Sequence, residues 1–383
     1  MAVETVLDSI VEKIVIDMAK KVADIGVSAI LSGNNGPYHN NETVVRNMAH
    51  WCVTFSEYYK KTSEDIYRNV TIMLADAILE SPEYNKKGVY RCRTDSTIDE
   101  VNGVIGAAWI IEGLICATRI TDDIRYYERA KEMFLVVPFN EKLAIWNRIN
   151  TKNEKLSVDV TFNHQLWFAA AGSMINAYKN DATIAKRIDE FIKRLDKNIT
   201  VRKDGRIGHF TMNDKNGMLG YAGRVYRDVK NDLLEKLCKP SLAYKEAGYH
   251  AFNLYGFAIL KENYNKDIPF FATGKFKKTL DYICSDKYID ILCDADRNLD
   301  ETKVRTKLSV PFNVFSFSYN SSAFELGRIY TTFGRENEET KAILNRLCEK
   351  QLEYTYNEET GLFDKNTDDP ITLTTRIYEY IAG

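Results

Sequence analysis

The sequence has few of the residues that interrupt long helices, since its 383 residues include only seven prolines. Proline lacks a backbone N–H and ends helices, so its scarcity favours a chain built mainly of long helices. Cysteine is also scarce. Its seven copies form no Cys-x-x-Cys pair, which argues against a structural zinc site or a redox motif. We therefore expect reduced cysteines in the core.

A strong charge excess and a long apolar run are also missing. The formal net charge is -2, which excludes a strongly basic nucleic-acid binder, and we expect no nucleic-acid partner. The first segment, "MAVETVLDSIVEKIVIDMAKKVADIG", is amphipathic and acidic where a secretion signal is basic and then apolar. We expect a cytoplasmic protein with no membrane span, and the sequence carries no signal for an oligomeric state.

Twelve candidate helices follow one another along the chain. Segments that are apolar nearly all round, such as residues 158–180, alternate with charged amphipathic ones, such as residues 182–199. Alternating inner and outer helices are typical of a double-layered toroid. We predict an all-α, single-domain (α/α) toroid over residues 1–383, with about six inner and six outer helices. A helical solenoid competes with this fold, but no fixed repeat supports it.

One long segment breaks the helical pattern. Residues 201–230 contain five glycines and seven basic residues against three acidic ones. A solvated loop is one interpretation of this segment. The other is a Gly-rich basic lid over the mouth of the toroid for an anionic substrate, which makes Arg206 and His209 candidate binding residues.

All five histidines stand beside Tyr, Asn, Trp or Gly. No two of them have the His-x-x-x-His spacing of a helical metal site, so we expect no metal and no cofactor. Two of the histidines open Ala- and aromatic-rich helices as part of a polar pair. Asn163 and His164 begin "NHQLWFAAAG", and Tyr249 and His250 begin "YHAFNLYGFAIL". A buried structural histidine explains one such pair, whereas two pairs favour a shared site.

Asn, His and Tyr without an obvious carboxylate pair fit β-elimination beside a uronic acid. The C5 proton becomes acidic when the adjacent carboxylate is neutralised, and a histidine or a tyrosine with a lowered pKa removes it. A tyrosine then protonates the leaving O4. For the base role, a cation such as Lys245, one helical turn from Tyr249, would have to lower the pKa of that tyrosine.

The two polar stretches resemble the alginate-lyase-like and heparinase-like polysaccharide lyases that fold as α/α toroids. The resemblance implies that Asn163 binds the substrate carboxylate, that His164 neutralises it or acts as base, and that Tyr249, beside His250, carries the proton. Phe162 stands where that family has the first Asn of its triplet. A further stretch, "GPYHNNETVVRNMAHW", is similar to AglQ-type α/α-barrel proteins of surface-polysaccharide and N-glycan clusters, which implies glycan chemistry.

The remaining candidates are aromatic, amide, histidine and basic side chains that would stack on or hydrogen-bond a sugar at the toroid mouth. These substrate-binding candidates are Tyr38, His39, Arg46, His50, Trp51, Asn102, Trp109, Trp167, Arg206, His209, Lys245 and Asn253. For Asn102 and Trp109, close helix packing through neighbouring Gly and Ala is the alternative interpretation.

The leading prediction is therefore a lyase whose partner is an acidic glycan, and three other functions stay open. A glycoside hydrolase on the same toroid needs two carboxylates across the scissile bond. Its candidates are Asp99, Glu112, Asp159, Glu246 and Glu325. A uronate C5-epimerase shares the proton abstraction, and a non-catalytic glycan-binding protein would keep the tryptophans without the acid and base.

Overall fold

The computed structural model describes residues 3–211, 242–295 and 310–383, together with isolated positions between 222 and 233. The helices are α1 (Val3–Ile25), α2 (Val45–Thr62), α3 (Asp65–Leu79), α4 (Ile105–Thr121), α5 (Ile124–Val136), α6 (Phe162–Tyr178), α7 (Ala182–Asn198), α8 (Leu242–Gly248), α9 (His250–Asn263), α10 (Gly274–Ile283), α11 (Asp286–Leu292), α12 (Ser322–Thr332), α13 (Glu338–Thr355), α14 (Pro370–Thr375) and α15 (Ile377–Ile381). The strands are β1 (Phe139–Asn140), β2 (Ile145–Ile149), β3 (Lys155–Val158), β4 (Tyr356–Asn357) and β5 (Leu362–Phe363).

Six helices form a closed inner ring. Helix α2 packs on α4, α4 on α6, α6 on α9, α9 on α12, α12 on α15, and α15 packs back on α2. The inner helices have neighbours on both sides and an outer layer behind them, which explains why they are apolar nearly all round. Helix α6, for example, buries Leu166, Phe168 and Ile175 on different faces.

The outer layer consists of amphipathic helices. Helices α3, α5, α7 and α13 pack on α2, α4, α6 and α12 respectively, and α1 lies between α3 and α13. Helix α10 packs on α9, where the rings of Phe276 and Phe257 are 5.7 Å apart. Helix α7 buries Ile184, Ile188 and Leu195 at helical spacing and exposes its charged face. The predicted all-α (α/α) toroid is confirmed, and it forms a single domain.

A glycine allows two inner helices to approach closely. A Cβ atom added at Gly113 of α4 would lie 2.6 Å from the carbonyl oxygen of Ala49 on α2, and 2.8 Å from its Cα. Real Cβ atoms do not come this close to backbone, so only glycine fits at this crossing.

The bounds of several predicted helices differ from the structure. The last strand of a small antiparallel sheet, β1-β2-β3, ends at Val158, the first residue of the predicted 158–180 helix, and α6 starts only at Phe162. The apolar patterns of residues 246–264 and 372–382 each predict one helix, whereas the structure divides each segment between two helices. The splits occur at Tyr249, whose φ of -90° and ψ of 3° lie outside the α-helical region, and at Arg376, whose φ of -65° and ψ of -9° stay in the right-handed helical region.

The described part of the predicted basic loop, residues 201–211, packs against the toroid. It forms bridges from Val201 to Ile207 and from Phe210 to Thr161. Most of the remaining loop lies outside the described residues. The prediction that this part forms a lid therefore also falls outside them. Within the ranges given above, no helix combines the length and apolarity needed to cross a membrane.

Candidate active site

The inner helices begin at the same end of the toroid, where a cavity of about 170 Å³ opens. Side chains in or just before the first turn of every inner helix contribute to its wall. The lining residues are Asn35, Tyr38, Asn40, Arg46, Arg93, Asn102, Ile105, Trp109, Thr161, Asn163, His164, His209, Lys245, Tyr249, Phe252, Tyr319, Asn320 and Arg376. Helix N-termini carry partial positive charge, so this end of the ring favours an anion.

The charges in the wall all have one sign. It contains Arg46, Arg93, Lys245 and Arg376, and none of the described wall residues is Asp or Glu. Carboxylates outside the wall neutralise two of these cations. Arg46 pairs with Glu42 at 2.8 Å, and Arg376 lies within 2.8 Å of two buried glutamates.

The other two cations, Arg93 and Lys245, have no carboxylate within ion-pair distance among the described residues. The ammonium group of Lys245 lies 5.2 Å from the ring centre of Tyr38, and 5.9 Å from those of Tyr249 and Phe315. Burial lowers the pKa of Lys245 to about 8. Aromatic faces attract the cation but supply no counter-charge, so an anionic ligand would supply a charge that the described residues do not.

A histidine–aspartate pair stands at one side of the cavity. The carboxylate of Asp159 lies 2.8 Å from Nδ1 of His164 and accepts hydrogen bonds from the backbone N–H groups of Val104 and Thr161, at 3.1 and 3.0 Å. Burial acts to raise the pKa of Asp159, but His164 and the two N–H groups hold it below its usual value. The ionised carboxylate accepts from Nδ1–H, which leaves the lone pair of Nε2 available as a base.

The neighbouring backbone must be glycine for this pair to form. A Cβ atom at Gly103 would lie 2.6 Å from Nδ1 of His164, and closer still to the Asp159 carboxylate. Gly103 also has φ +61°, which glycine adopts without strain.

Three tyrosines meet at another side of the cavity. The hydroxyl groups of Tyr38 and Tyr249 are 3.4 Å apart, and the Tyr319 ring packs edge-on against both rings. Burial, followed by Tyr319 and Tyr38, raises the pKa of Tyr249 well above its usual value. The predicted lowering of this pKa by Lys245 is therefore wrong, because desolvation and the neighbouring hydroxyls dominate. Tyr249 keeps its proton at neutral pH and fits the role of donor.

Three buried polar atoms of the wall have no hydrogen-bond partner among the described residues. They are Oδ1 of Asn163, Nε1 of Trp109 and Nε of Arg93. The Trp109 ring also lies beneath the guanidinium of Arg46, 3.9 Å from its centre. Buried polar atoms are normally paired, so one unpartnered acceptor and two unpartnered donors in a cavity wall indicate room for a polar ligand.

Comparison with known proteins places this toroid in a family. No family model matches the chain. It is 30% identical over 378 residues to archaeal glycosylation protein Q of Haloferax volcanii, and the alignment covers 95% of each chain. The chain belongs to the archaeal glycosylation protein Q family. The predicted likeness to AglQ-type proteins is thereby confirmed.

Solved structures with the same fold include several sugar enzymes. Cellobiose 2-epimerase from Bacillus thermoamylovorans B4167 has a TM-score of 0.60 at 13% identity over 91% of both chains. An unsaturated glucuronyl hydrolase specific for heparin has a TM-score of 0.59 at 11% identity, covering 98% of this chain and 96% of its own. D-mannose isomerase has a TM-score of 0.57 at 12% identity, covering 88% and 86%. These likenesses support the toroid fold.

Nine of the residues predicted from the sequence lie together in the cavity wall of this family member. They are Tyr38, Arg46, Asn102, Trp109, Asn163, His164, His209, Lys245 and Tyr249. The polar pairs at the starts of α6 and α9 thus contribute Asn163, His164 and Tyr249 to one cavity, whereas His250 stays outside it.

His250, predicted as catalytic, is fully buried and does not line the cavity. Its Nδ1 accepts a hydrogen bond from the backbone N–H of Ile207 at 3.3 Å, and its Nε2 lies 2.9 Å from the carbonyl oxygen of Thr279. Burial lowers the pKa of His250 to about 4. It is a neutral structural histidine, because both ring nitrogens already have protein partners.

Three other predicted binding residues lie within the packed core. His50 stacks on Tyr378 with ring centres 4.6 Å apart, Trp51 stacks on Phe55, and Trp167 stacks on Phe252. None of the three lines the cavity, because protein rings already cover their faces. His50 still supports the site indirectly, since its Nε2 accepts from Nε of Arg46 at 3.2 Å.

His39, Arg206 and Asn253 also lie outside the wall. His39 pairs with Asp368 at 3.2 Å, and Arg206 is buried beside Asp204 at 2.8 Å. The amide of Asn253 donates to the carbonyl oxygen of Tyr249 at 2.8 Å. Asn253 therefore stabilises the turn that presents Tyr249.

The five carboxylates that a hydrolase would use are likewise absent from the wall. They are Asp99, Glu112, Asp159, Glu246 and Glu325. Glu246 pairs with Arg202 at 2.6 Å, and Glu325 lies on the far side of Arg376. Glu112 is buried, and burial raises its pKa to about 8. No pair of them therefore flanks the cavity.

Sequence reasoning missed Arg93, Tyr319, Asn320 and Arg376. Arg376 precedes the last inner helix, a position equivalent to that of Tyr249 before α9. Comparing the residues at the start of each inner helix would have found it. Arg93 and Tyr319 lie in loops, where the sequence carried no periodic signal.

Proposed function

We propose that this protein is a carbohydrate-active enzyme that removes the C5 proton from a uronate residue of an acidic glycan and completes a β-elimination. The observation that carries the proposal is the composition of the cavity wall. It holds four cations and a histidine oriented by an aspartate, and its described part contains no carboxylate. The family relative is named for glycosylation, which agrees with a glycan substrate.

The proposed reaction begins with binding of the sugar carboxylate. Arg93 and Lys245, which have no carboxylate partner among the described residues, neutralise it. The unpartnered Oδ1 of Asn163 lies in the same wall, where it can accept a hydrogen bond from a sugar hydroxyl. Neutralisation makes the C5 proton more acidic and stabilises the enolate-like intermediate, because charge develops on the carboxylate oxygens as C5 loses its proton.

His164 then acts as base and Tyr249 as acid. The Nε2 lone pair of His164 takes the C5 proton, and Asp159 stabilises the resulting imidazolium. The C5 electron pair forms the C4–C5 double bond as the C4–O4 bond breaks. Tyr249 donates its proton to the leaving O4, a role that fits its raised pKa.

A uronate C5-epimerisation is the second candidate. Tyr249 is held protonated just before α9, whereas His164 lies in α6, so Tyr249 could return a proton to C5 from another direction instead of protonating O4. Sugar epimerases with this fold agree with the alternative. A hydrolase is less favoured than either, since it requires two carboxylates across the scissile bond.

The first test is an ultraviolet assay for the C4–C5 double bond over a panel of uronate-containing oligosaccharides. His164→Ala and Tyr249→Phe are each expected to lower turnover by roughly 100-fold or more, because each removes a proton-transfer group. His39→Ala, which changes a histidine outside the wall, is the matched control and should keep full activity.

Three results would separate the candidates. Absorbance that depends on both His164 and Tyr249 supports the lyase. Inversion at C5 without absorbance supports the epimerase. Hydrolytic cleavage that persists in His164→Ala contradicts both mechanisms.

A further inference from the structure

A groove of about 500 Å³ adjoins the cavity on the other side of His164. It runs between residues 93–103 and the β2–β3 hairpin, and we call it the hairpin groove. Arg93, Asn102, Thr161 and His164 line both the groove and the cavity. A ligand that passes His164 therefore enters the groove without crossing the body of the protein. The volume lies within the range of small-molecule sites.

The hairpin groove differs from the cavity in charge. It is lined by two aspartates, Asp99 and Asp159, as well as by two arginines, Arg93 and Arg148. A guanidinium nitrogen of Arg148 lies 3.5 Å from the Asp99 carboxylate and another donates to Oγ of Ser157 at 2.8 Å. The groove thus offers carboxylate acceptors beside guanidinium donors, whereas the described wall of the cavity contains no carboxylate.

These groups are positioned by the backbone. Asp99 accepts hydrogen bonds from the N–H groups of Val101 and Gly103, at 3.2 and 3.0 Å, so its carboxylate is fixed before any ligand binds. On Arg93, Nε has no hydrogen-bond partner among the described residues. Val160 adds an apolar surface in the groove, since 44% of it is exposed.

The arginines, aspartates and exposed valine of the hairpin groove match a neutral sugar better than a second acidic sugar. Sugar hydroxyls both donate and accept, so they can bind an arginine and a carboxylate at the same time. The C–H face of a sugar ring suits an exposed valine. A second carboxylate would instead meet Asp99 and Asp159, and like charges repel.

We propose that the hairpin groove is a second sugar subsite that holds a neutral sugar residue linked to the acidic residue in the cavity. The substrate is then an oligosaccharide of at least two residues, one acidic and one neutral. This inference rests on the proposed function for its assignment of the acidic residue to the cavity. Arg148 determines specificity for the neutral residue.

The test is titration calorimetry on the full chain. The ligands are glucuronic, galacturonic and mannuronic acid, and disaccharides of each with glucose, joined through O1 or O4 of the uronate. At least one disaccharide is expected to bind roughly tenfold or more tightly than its uronate alone. Arg148→Ala should remove that gain and leave the affinity for the uronate unchanged. Lys155→Ala removes one positive charge from an exposed position on the same hairpin. This control variant should keep the gain in affinity for the disaccharide.

The groove assignment is overturned if no disaccharide binds more tightly than its uronate, or if the gain survives in Arg148→Ala. Loss of the C5 proton to solvent, followed by NMR with the same ligands, tests the proposed function separately. A gain in disaccharide affinity that depends on Arg148, without loss of the C5 proton, would support the groove as a sugar subsite. The same result would overturn the proposed proton abstraction. Proton loss without a disaccharide gain would overturn the groove alone.

Discussion

At the scale of single residues, the site depends on which charged groups have partners. Asp159 is held by two backbone N–H groups and His164, so it orients a base and is not itself a free acid. Tyr249 is held protonated by burial and by its neighbouring hydroxyls. Lys245 lies against aromatic rings and has no carboxylate partner among the described residues, so its charge is available to a ligand. A base, an acid and a cation thus occupy one wall with different roles.

The charge on Lys245 makes substrate binding depend on pH. With a pKa of about 8, the amine is charged below pH 8 and neutral above it. We expect KM for an acidic glycan to rise by up to about tenfold per pH unit above pH 8, because one required charge is lost. Lys245→Arg keeps its charge and should flatten this rise.

Steady-state kinetics between about pH 6 and pH 10 compares KM for the wild type and for Lys245→Arg. A wild-type KM that stays constant over that range would contradict a binding role for the Lys245 charge.

At the scale of elements, the site is formed by the starts of the inner helices and by the breaks before two of them. Periodicity predicted the inner and outer helices correctly, because burial on all sides or on one face leaves a clear pattern in the sequence. It missed the breaks at Tyr249 and Arg376, since both residues stand in continuous helical patterns. Tertiary packing overrides local propensity at these two positions.

The inner ring also depends on close approach between α2 and α4. Gly113→Ala would push a methyl group into the backbone of Ala49, and we expect it to lower the free energy of unfolding by about 1–3 kcal/mol. Gly274→Ala is the matched control, because a Cβ atom there meets nothing within 4 Å. Urea unfolding of both variants gives the comparison. Equal stability of the two would show that the α2–α4 crossing tolerates the extra atom.

At the scale of the whole molecule, closing six helices into a ring brings together residues far apart in the chain. Tyr38 and Tyr249 are 211 positions apart, yet their hydroxyls are 3.4 Å apart. The sequence indicated that two polar pairs share a site, but it did not predict that only one member of the second pair faces inward. His250 faces the core and Tyr249 faces the cavity, a difference set by the helix break. The loop residue Arg93 reaches the wall through the closure of the ring.

The interior of the ring also contains acids that keep their protons. Burial raises the pKa of Glu112 to about 8, from 4.5 in an exposed chain. Between these values the folded protein binds a proton that the unfolded chain has released, so stability falls as pH rises from about 4.5 to 8.

Glu112→Gln removes this linkage while keeping the shape of the neutral acid. We expect the variant to match the wild type near pH 5 and to exceed its free energy of unfolding by up to about 4 kcal/mol near pH 8, at about 1.4 kcal/mol per pH unit. Denaturant unfolding at the two pH values measures the difference. A difference in the free energy of unfolding between the two proteins that does not change with pH would mean that Glu112 is already ionised in the folded protein.

The central claim is that His164 takes the proton from the carbon beside a sugar carboxylate. The most direct measurement is the fate of the C5 proton of a uronate oligosaccharide in D₂O, followed by NMR. The account predicts that every turnover releases this proton to solvent, giving either a C4–C5 double bond or deuterium at C5, and that His164→Ala abolishes the release. Turnover in which C5 keeps its original proton, or release that persists in His164→Ala, would contradict it.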